Sequence, residues 1–171
     1  MNRFFFILFS FLFALNFKAF SQDLPLLDFE NLNFPKSIVI SAEGKTEAEL
    51  KSKVETWINS SFTEANLLEH TFENDQFSVT AFENRIIKVK NLTCDIKFDL
   101  KISIRNNRYR FEVSSLSYKY YTEYRPIANI DLIKDSKIRD DLIANRSIIG
   151  SFFNSLSASL YSKILDQSDD W

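Results

Sequence analysis

The sequence predicts an α+β fold, a two-layer sandwich in which a curved, largely antiparallel sheet of about five strands carries two helices on one face, in the order β-α-β-β-β-β-α. Apolar and polar residues alternate over residues 92–104 and again over 109–120, as in strands with one buried face. Two other segments repeat apolar residues at helical spacing. Because each such helix has a single apolar stripe, the two helices can cover one face of the sheet and leave the other exposed.

The first 21 residues have the features of a secretory signal peptide. Arg3 gives a basic start, an almost wholly apolar run follows, and Ala19 and Ser21 are small residues at the positions that signal peptidase reads. The apolar run of about 14 residues is shorter than the roughly 20 that span a bilayer, which favours cleavage over a retained membrane anchor. We therefore predict a signal peptide over residues 1–21, cleaved between Ser21 and Gln22, and a periplasmic or secreted protein.

The rest of the chain suits one domain and gives no electrostatic case for binding nucleic acid. About 150 residues remain, which is enough for a single substantial core. Subtracting Arg3 and Lys18 from the 21 basic side chains leaves 19 against 23 acidic ones, a net charge near −4. We expect residues 22–35 to form an extended linker or loosely docked arm, residues 36–166 a single domain, and residues 167–171 a frayed tail.

A strand and a capped helix open the predicted domain. Residues 37–42 are rich in β-branched side chains and predict the first strand. Thr46 followed by Glu49 is the pattern of a capping box, in which the two side chains satisfy unpaired amide groups of the first helical turn. The helix should cover residues 47–60. Its apolar stripe consists of Leu50, Val54, Trp57 and Ile58.

A first hairpin is predicted over residues 67–73 and 76–82, with the turn at Asn74-Asp75. Pairing across this turn places Phe72 opposite Phe77, His70 opposite Val79 and Leu68 opposite Ala81. Ile86, Ile87 and Val89 lie in the connection to the next strand and can extend either neighbour.

The central hairpin is the best determined part of the sequence. Asn106-Asn107 separates the two alternating segments, and asparagine tolerates the positive φ of a tight turn. Beyond Ser114-Ser115 the apolar residues move from odd to even positions, so we predict a bulge of one extra residue there. The expected pairs are Ile104–Tyr109, Ile102–Phe111, Lys101–Glu112 and Leu100–Val113 before the bulge, and Phe98–Leu116, Ile96–Tyr118 and Cys94–Tyr120 after it.

Two residues invite a catalytic or metal-binding interpretation, and neither is placed for it. His70 is the only histidine, and it has no second histidine or cysteine nearby and no serine or cysteine to activate. Cys94 is the only cysteine, and its position in the alternation makes it a small core residue. We find no nucleophile motif, phosphate loop or metal-ligand cluster. The sequence therefore predicts no enzyme and no catalytic, cofactor-binding or metal-binding residue.

The C-terminal part of the chain contains the second predicted helix. Pro126 should end the last strand, and the charged residues 130–143 are interpreted as a loop with at most a short helical turn. Residues 146–165 repeat apolar side chains at helical spacing and predict a longer amphipathic helix.

The chain resembles a family of exported bacterial proteins, known chiefly from the Bacteroidetes, that is defined by a domain of unknown function with a TATA-binding-protein-like (TBP-like) fold. The resemblance rests on residues 43–50 (EGKTEAEL) running on to Trp57, and on residues 107–112 (NRYRFE). The sequence departs from the family pattern at Asn74-Asp75, where glycines are expected. The resemblance implies the fold but supplies no catalytic residues, and a TBP-like fold does not imply DNA binding, because fold does not fix function.

The segment that follows the central hairpin is the candidate interaction site. Tyr121, Glu123, Tyr124 and Arg125, here called the tyrosine patch, combine aromatic rings with an arginine, a composition common at protein and sugar contacts. The alternative is that this segment is simply the end of a core strand, with Tyr118 and Tyr120 inside. On the exposed sheet face the charges alternate in sign, which indicates cross-strand pairing for solubility.

Two functions follow as hypotheses. The first is an exported, non-enzymatic module of the bacterial cell envelope that binds a protein, a peptide or a cell-wall component through the tyrosine patch or the open sheet face. The second is a carrier that holds a small hydrophobic ligand between sheet and helices. A carrier requires a cavity in the core, in the region of Phe98, Phe111, Phe152 and Phe153.

Overall fold

A computed structural model describes residues 24–166, and the predicted two-layer α+β architecture is confirmed in that range. The predicted signal peptide and the tail over residues 167–171 lie outside it. The elements in chain order are β1 (Lys36–Ser41), α1 (Glu47–Ser61), β2 (Leu67–Glu73), β3 (Gln76–Val89), β4 (Leu92–Arg105), β5 (Arg108–Tyr120), β6 (Glu123–Pro126), a 3₁₀ helix (Ile130–Leu132), α2 (Ser136–Ala144) and α3 (Arg146–Leu165).

The strands form one antiparallel sheet in the order β2-β3-β4-β5-β1. The short strand β6 also pairs with β5, on the same side as β1. The outer edge of β5 is therefore shared, because β1 pairs with residues 108–113 and β6 with residues 117–120. One long strand thus joins two separate edge strands.

The central hairpin, β4–β5, is confirmed in its register and its bulge. Ile102 pairs with Phe111 and Leu100 with Val113, as the alternation predicts. Asp99 then pairs with Ser115, so Ser114 is the extra residue of the bulge. Past the bulge, the expected pairs Phe98–Leu116 and Ile96–Tyr118 are present, and the ladder ends there, before the expected pair Cys94–Tyr120.

The first hairpin is confirmed near its turn and differs at its far end. Asn74 and Asp75 both have positive φ, as a two-residue turn requires, and Phe72 pairs with Phe77. The expected pair Leu68–Ala81 is wrong, because a bulge at Leu68 brings Leu67 opposite Ala81. The strand after the turn also continues past residue 82, through an irregularity between Glu83 and Ile87, to Val89.

Two elements in the C-terminal part differ from the sequence prediction. Pro126 does end a strand, but that strand is the additional element β6, formed by residues interpreted as irregular. Residues 136–144 form the helix α2 where a loop was expected. This helix buries only Ile138 and Leu142, so its apolar stripe is too short to stand out from its charged neighbours.

Contacts with the β3–β4 turn hold helix α2 in place. The Asp135 carboxylate accepts a hydrogen bond from the Ile138 amide as the helix cap and forms an ion pair with Lys90. The Lys90 amide donates to Asp141 at 2.8 Å. These are contacts between residues about 50 positions apart, so a local pattern could not predict them.

Helix α1 begins with the predicted capping box. The Thr46 amide donates to the Glu49 carboxylate at 2.7 Å, and the Glu49 amide donates to the Thr46 hydroxyl at 3.2 Å. The helix packs beside α3 on the sheet, and the Trp57 indole donates to the Ser159 hydroxyl at 3.1 Å. The predicted stripe is buried along its whole length.

The N-terminal arm is packed more firmly than the predicted linker. Leu27, Phe29 and Leu32 are buried in the core. The Phe29 ring stacks on Phe153 at 5.7 Å, and the Asn154 side chain of α3 exchanges two hydrogen bonds with the Leu27 backbone. The described part of residues 22–35 is therefore a fixed part of the domain, because these side chains fill space over α3 that the sheet does not reach.

No helix within residues 24–166 is long and apolar enough to cross a membrane.

Candidate functional site

One face of the sheet carries no helix and is covered by polar side chains. Odd positions of β4 lie on it, as do even positions of β5 before the bulge at Ser114 and odd positions after it, and these side chains are half-buried or exposed. Asp99 accepts hydrogen bonds from Thr80 at 2.7 Å and from Ser115 at 2.5 Å, and Lys101 lies opposite Glu112 in the strand register. These cross-strand contacts favour the expectation that much of this face is a solvated surface with paired charges.

The tyrosine patch lies at the corner of this face, on the β5–β6 hairpin. Tyr121 is 73 % exposed and has a φ of 58°, in the left-handed region that a tyrosine rarely adopts. This turn ends β5 and directs β6 back along its edge. All four residues of β6 are exposed, so the patch is the outermost part of the sheet at this end.

The aromatic rings of the patch lie against cationic side chains. The ammonium groups of Lys97 and Lys119 each lie 5.9 Å from the Tyr124 ring centre, on the open face. The Arg125 guanidinium lies 4.8 Å from the ring of Tyr120, and that ring contacts Tyr121 at 4.8 Å. Cationic groups therefore lie beside the rings of Tyr124 and Tyr120, and Tyr121 packs on the Tyr120 ring; contacts of this kind reduce the conformational entropy lost on binding.

The two interpretations of this segment each describe part of it. Tyr118 is buried, and burial raises the pKa of its hydroxyl, with a smaller opposing effect from Arg125. Tyr120 is half-buried, whereas Tyr121, Glu123, Tyr124 and Arg125 are exposed. The strand end thus belongs to the core, and the tyrosine patch itself is on the surface.

The two residues considered for chemistry are separated in the structure. His70 is exposed on the edge strand β2. Cys94 is buried, its thiol lies 3.5 Å from the Leu92 carbonyl oxygen, and burial raises its pKa, so the thiol stays protonated at neutral pH. Within residues 24–166, no three His, Cys, Asp or Glu side chains are grouped to hold a metal ion.

Phenylalanine rings fill the region that a carrier would need as a cavity. Phe98 contacts Phe152 at 5.5 Å and Phe153 at 5.3 Å, and the latter two contact each other at 5.0 Å. Phe111 is fully buried beneath them in the sheet. A hydrophobic ligand would have to displace these rings, so the packing gives the carrier hypothesis no support.

A larger groove of about 1210 Å³ runs between the N-terminal arm and the outer side of α3. Small side chains form most of its helical wall, including Gly150, Ser151, Ser155 and Ala158. Leu26 and Ile143 are large exposed side chains in its lining, but none of its lining residues is a tyrosine or tryptophan, so it is a weaker candidate than the tyrosine patch.

The buried hydroxyl of Tyr109 yields a testable prediction on pH dependence. It makes no hydrogen bond to any other described residue, and burial strongly raises its pKa. An unfolded tyrosine ionises near pH 10, whereas native Tyr109 stays protonated at that pH. Ionisation therefore favours the unfolded state, and the native state loses stability only as the pH rises above about 10. We expect Tyr109→Phe to raise the free energy of unfolding by about 1 kcal/mol at neutral pH and to weaken its decline above pH 10.

Urea unfolding at about pH 8 and pH 11 measures both effects. Tyr121→Phe is the matched control, because that hydroxyl is on an exposed ring. If both variants declined with pH as steeply as the wild type, Tyr109 would not be the group that titrates differently on folding.

Part of the chain matches a family model whose description names the same fold. Residues 37–119 match the family model described as "Domain of unknown function (DUF4468) with TBP-like fold". No curated protein matches the chain. The resemblance inferred from the sequence is therefore confirmed: residues 37–119 are similar to this family, and the fold is TBP-like.

Two solved structures are similar over most of the chain. A TBP-like protein from Parabacteroides distasonis ATCC 8503 is 16 % identical, with a TM-score of 0.54, over 77 % of this chain and 94 % of that one. A DUF4468 family protein from Bacteroides ovatus ATCC 8483 is 11 % identical, with a TM-score of 0.60, over 84 % of this chain and 91 % of that one. At these identities the likeness concerns the fold alone.

Proposed function

Starting from a match to a family that is defined by its fold and not by an activity, we propose that this protein is an exported, non-enzymatic binding module of the bacterial cell envelope. Its partner would be an envelope protein, a peptide or a cell-wall component, and its binding site the tyrosine patch. The observation that carries the proposal is the exposure of Tyr121 and Tyr124 at a sheet corner, with Arg125 exposed on the other side of the same short strand, against the Tyr120 ring. Tyrosine and arginine are the residues that most often dominate binding energy at interfaces.

The position of the patch supports a flat partner surface or an extended chain. Tyr124 lies on the open sheet face, whereas Glu123 and Arg125 lie on the opposite side of the same strand. The outer edge of β6 is unpaired in the described part of the chain, so its backbone is accessible as well. A partner that contacts this edge can therefore reach both sides of the patch.

Site-specific photo-crosslinking in the natural host tests this function. A photoreactive phenylalanine analogue at Tyr121 should give a defined product, with an envelope protein or with cell-wall material. Combining it with Tyr124→Ala and Arg125→Ala should reduce that product by about tenfold, the effect of losing one or two central contacts.

Leu132 is the matched control position, because it is 75 % exposed and lies outside the patch. Equal products from positions 121 and 132 would mean that the crosslinks arise from random collision and would reject the patch. His70→Gln and Cys94→Ala should leave the product unchanged. If either variant kept its melting temperature yet lost the biological activity of the protein, an enzymatic or metal-dependent function would replace the binding module.

Export is a separate part of the proposal and has its own measurement. It rests on the basic start, the short apolar run, and Ala19 and Ser21 before the expected cleavage site. The intact mass of the protein recovered from outside the cytoplasm should correspond to a chain that begins at Gln22. An uncleaved mass would favour a retained anchor.

A further inference from the structure

Three arginines form a cationic cluster at the end of the sheet opposite the tyrosine patch. The strand register places Arg105 opposite Arg108, and Ser41 on the far side of Arg108. In the next row, Arg110 lies between Ser103 and Val39. All lie on the uncovered face, because the alternating residues of β4 and β5 on the other face are buried. The cluster thus combines β1 with the tip of the central hairpin.

Within residues 24–166, the arginine cluster forms no ion pair. Within the described residues, no carboxylate oxygen lies within 4.0 Å of these guanidinium groups. Directly opposite like charges such as Arg105 and Arg108 destabilise a sheet. The chain has an excess of acidic residues, and in the next row along the strands Lys101 lies opposite an acidic residue, Glu112. Arginines in adjacent rows without a carboxylate contact in the described residues repel one another, and an anion bound between them would relieve this repulsion.

The cluster also has a recess for a ligand. A cleft of about 350 Å³ is lined by Val39, Ser103, Arg105, Arg108, Tyr109 and Arg110. This volume is at the lower end of the range for small-molecule sites. Neighbouring positions across and along strands are about 5 to 7 Å apart, so the three side chains can reach different oxygen atoms of one small ligand.

We propose that the arginine cluster binds a ligand carrying at least two oxyanion groups, either phosphate or carboxylate. The planar guanidinium offers paired donors that match the oxygens of both groups, and three such donors select for more than one negative charge. The Ser103 hydroxyl at the wall of the cleft donates to Gln76 Oε1 at 3.1 Å, so the arginines are the donors for the ligand. The site goes beyond the proposed function, since it concerns another end of the sheet and another class of ligand.

Titration with two defined probes, pyrophosphate and citrate, tests the site. Isothermal calorimetry and amide chemical shifts should show binding at about 20 mM salt, centred on residues 103–110, and weaker binding as salt rises. Preference for pyrophosphate would indicate a phosphate-bearing ligand, and preference for citrate a carboxylate-bearing one. Binding of neither probe at millimolar concentration would overturn the proposal.

The variant Arg105→Gln/Arg108→Gln/Arg110→Gln should bind the preferred probe at least about tenfold more weakly. The control Arg85→Gln/Lys88→Gln/Lys134→Gln removes the same charge from exposed positions outside the cleft and should stay within about twofold. Equal losses in both variants would mean that only net charge matters and would reject the site. The single variant Arg108→Gln, with a measurable loss of its own, covers the case in which the triple variant fails to fold.

The two proposals fail separately. Oxyanion binding that persists while no specific crosslink forms at Tyr121 would reject only the proposed envelope-binding function. A specific crosslink without oxyanion binding would reject only the arginine site.

Discussion

Replacing Phe153 by alanine should lower the free energy of unfolding by about 3 to 5 kcal/mol, the largest single effect we expect in this protein. Phe153 is fully buried in α3 and joins three parts of the fold. Its ring stacks on Phe29 of the N-terminal arm, meets Phe98 of β4 edge-to-face at 5.3 Å, and contacts Phe152. Truncation leaves a cavity that the sheet and helix backbones cannot close, so the lost contacts are not recovered.

Chemical unfolding measures this effect, and Ile148→Ala is the control on the same helix. Ile148 is 49 % exposed, so its truncation should cost about 0.5 kcal/mol or less. We also expect the N-terminal arm to loosen in the Phe153→Ala variant. The Leu27 amide should then exchange its hydrogen faster, because that amide donates to Asn154, the residue that follows Phe153 in α3. An equal cost for the two variants would show that the arm and sheet do not meet at Phe153.

Ile102→Ala should cost about 2 to 5 kcal/mol. Ile102 is fully buried in the middle of β4, with Phe77 of β3 on one side and Phe111 of β5 on the other. Both neighbours are aromatic and buried, so neither can turn into the space left by the missing methyl groups without losing contacts of its own.

Leu68→Ala is the comparison for Ile102→Ala, because it removes a similar side chain from a bulge on the edge strand, where Leu68 is 54 % exposed. We expect a cost of about 0.5 kcal/mol or less. Urea unfolding of the two variants compares the loss of unfolding free energy at a covered position of the sheet with the loss at its edge. Similar costs would contradict the assignment of β2 as an exposed edge.

The sequence by itself determined those elements whose partners are close along the chain. The β4–β5 register follows from the alternation and from Asn106-Asn107, because a two-residue turn and one buried face together allow a single pairing. The bulge at Ser114 follows from the shift of the apolar residues from odd to even positions, because one extra residue in the strand produces that shift. The Thr46–Glu49 capping box is likewise visible because its two residues lie within one helical turn. These interactions need no knowledge of the rest of the fold.

The tyrosine patch was partly predictable for the same reason. Its aromatic residues and arginine can be read from a short stretch of sequence, whereas the strand β6 that exposes them was not predicted. Residues 123–126 form β6 because β1 leaves the end of β5 unpaired, which depends on where β1 stops. The four residues have no alternation long enough to indicate a strand.

Only the tertiary structure decided the elements held by distant partners. The N-terminal arm docks because Asn154 bonds to Leu27, 127 residues away. The cleft beside the arginine cluster forms because β1 pairs with β5 and places Val39 next to Arg110, whereas the three arginines themselves lie on the β4–β5 hairpin, whose register the sequence predicts. In each case the stabilising contact joins residues that no short window of sequence contains, and its loop-closure entropy is offset only when the whole core forms. Periodicity identifies which face of an element is buried, but which element covers that face, and what is left uncovered, is a property of the assembled fold.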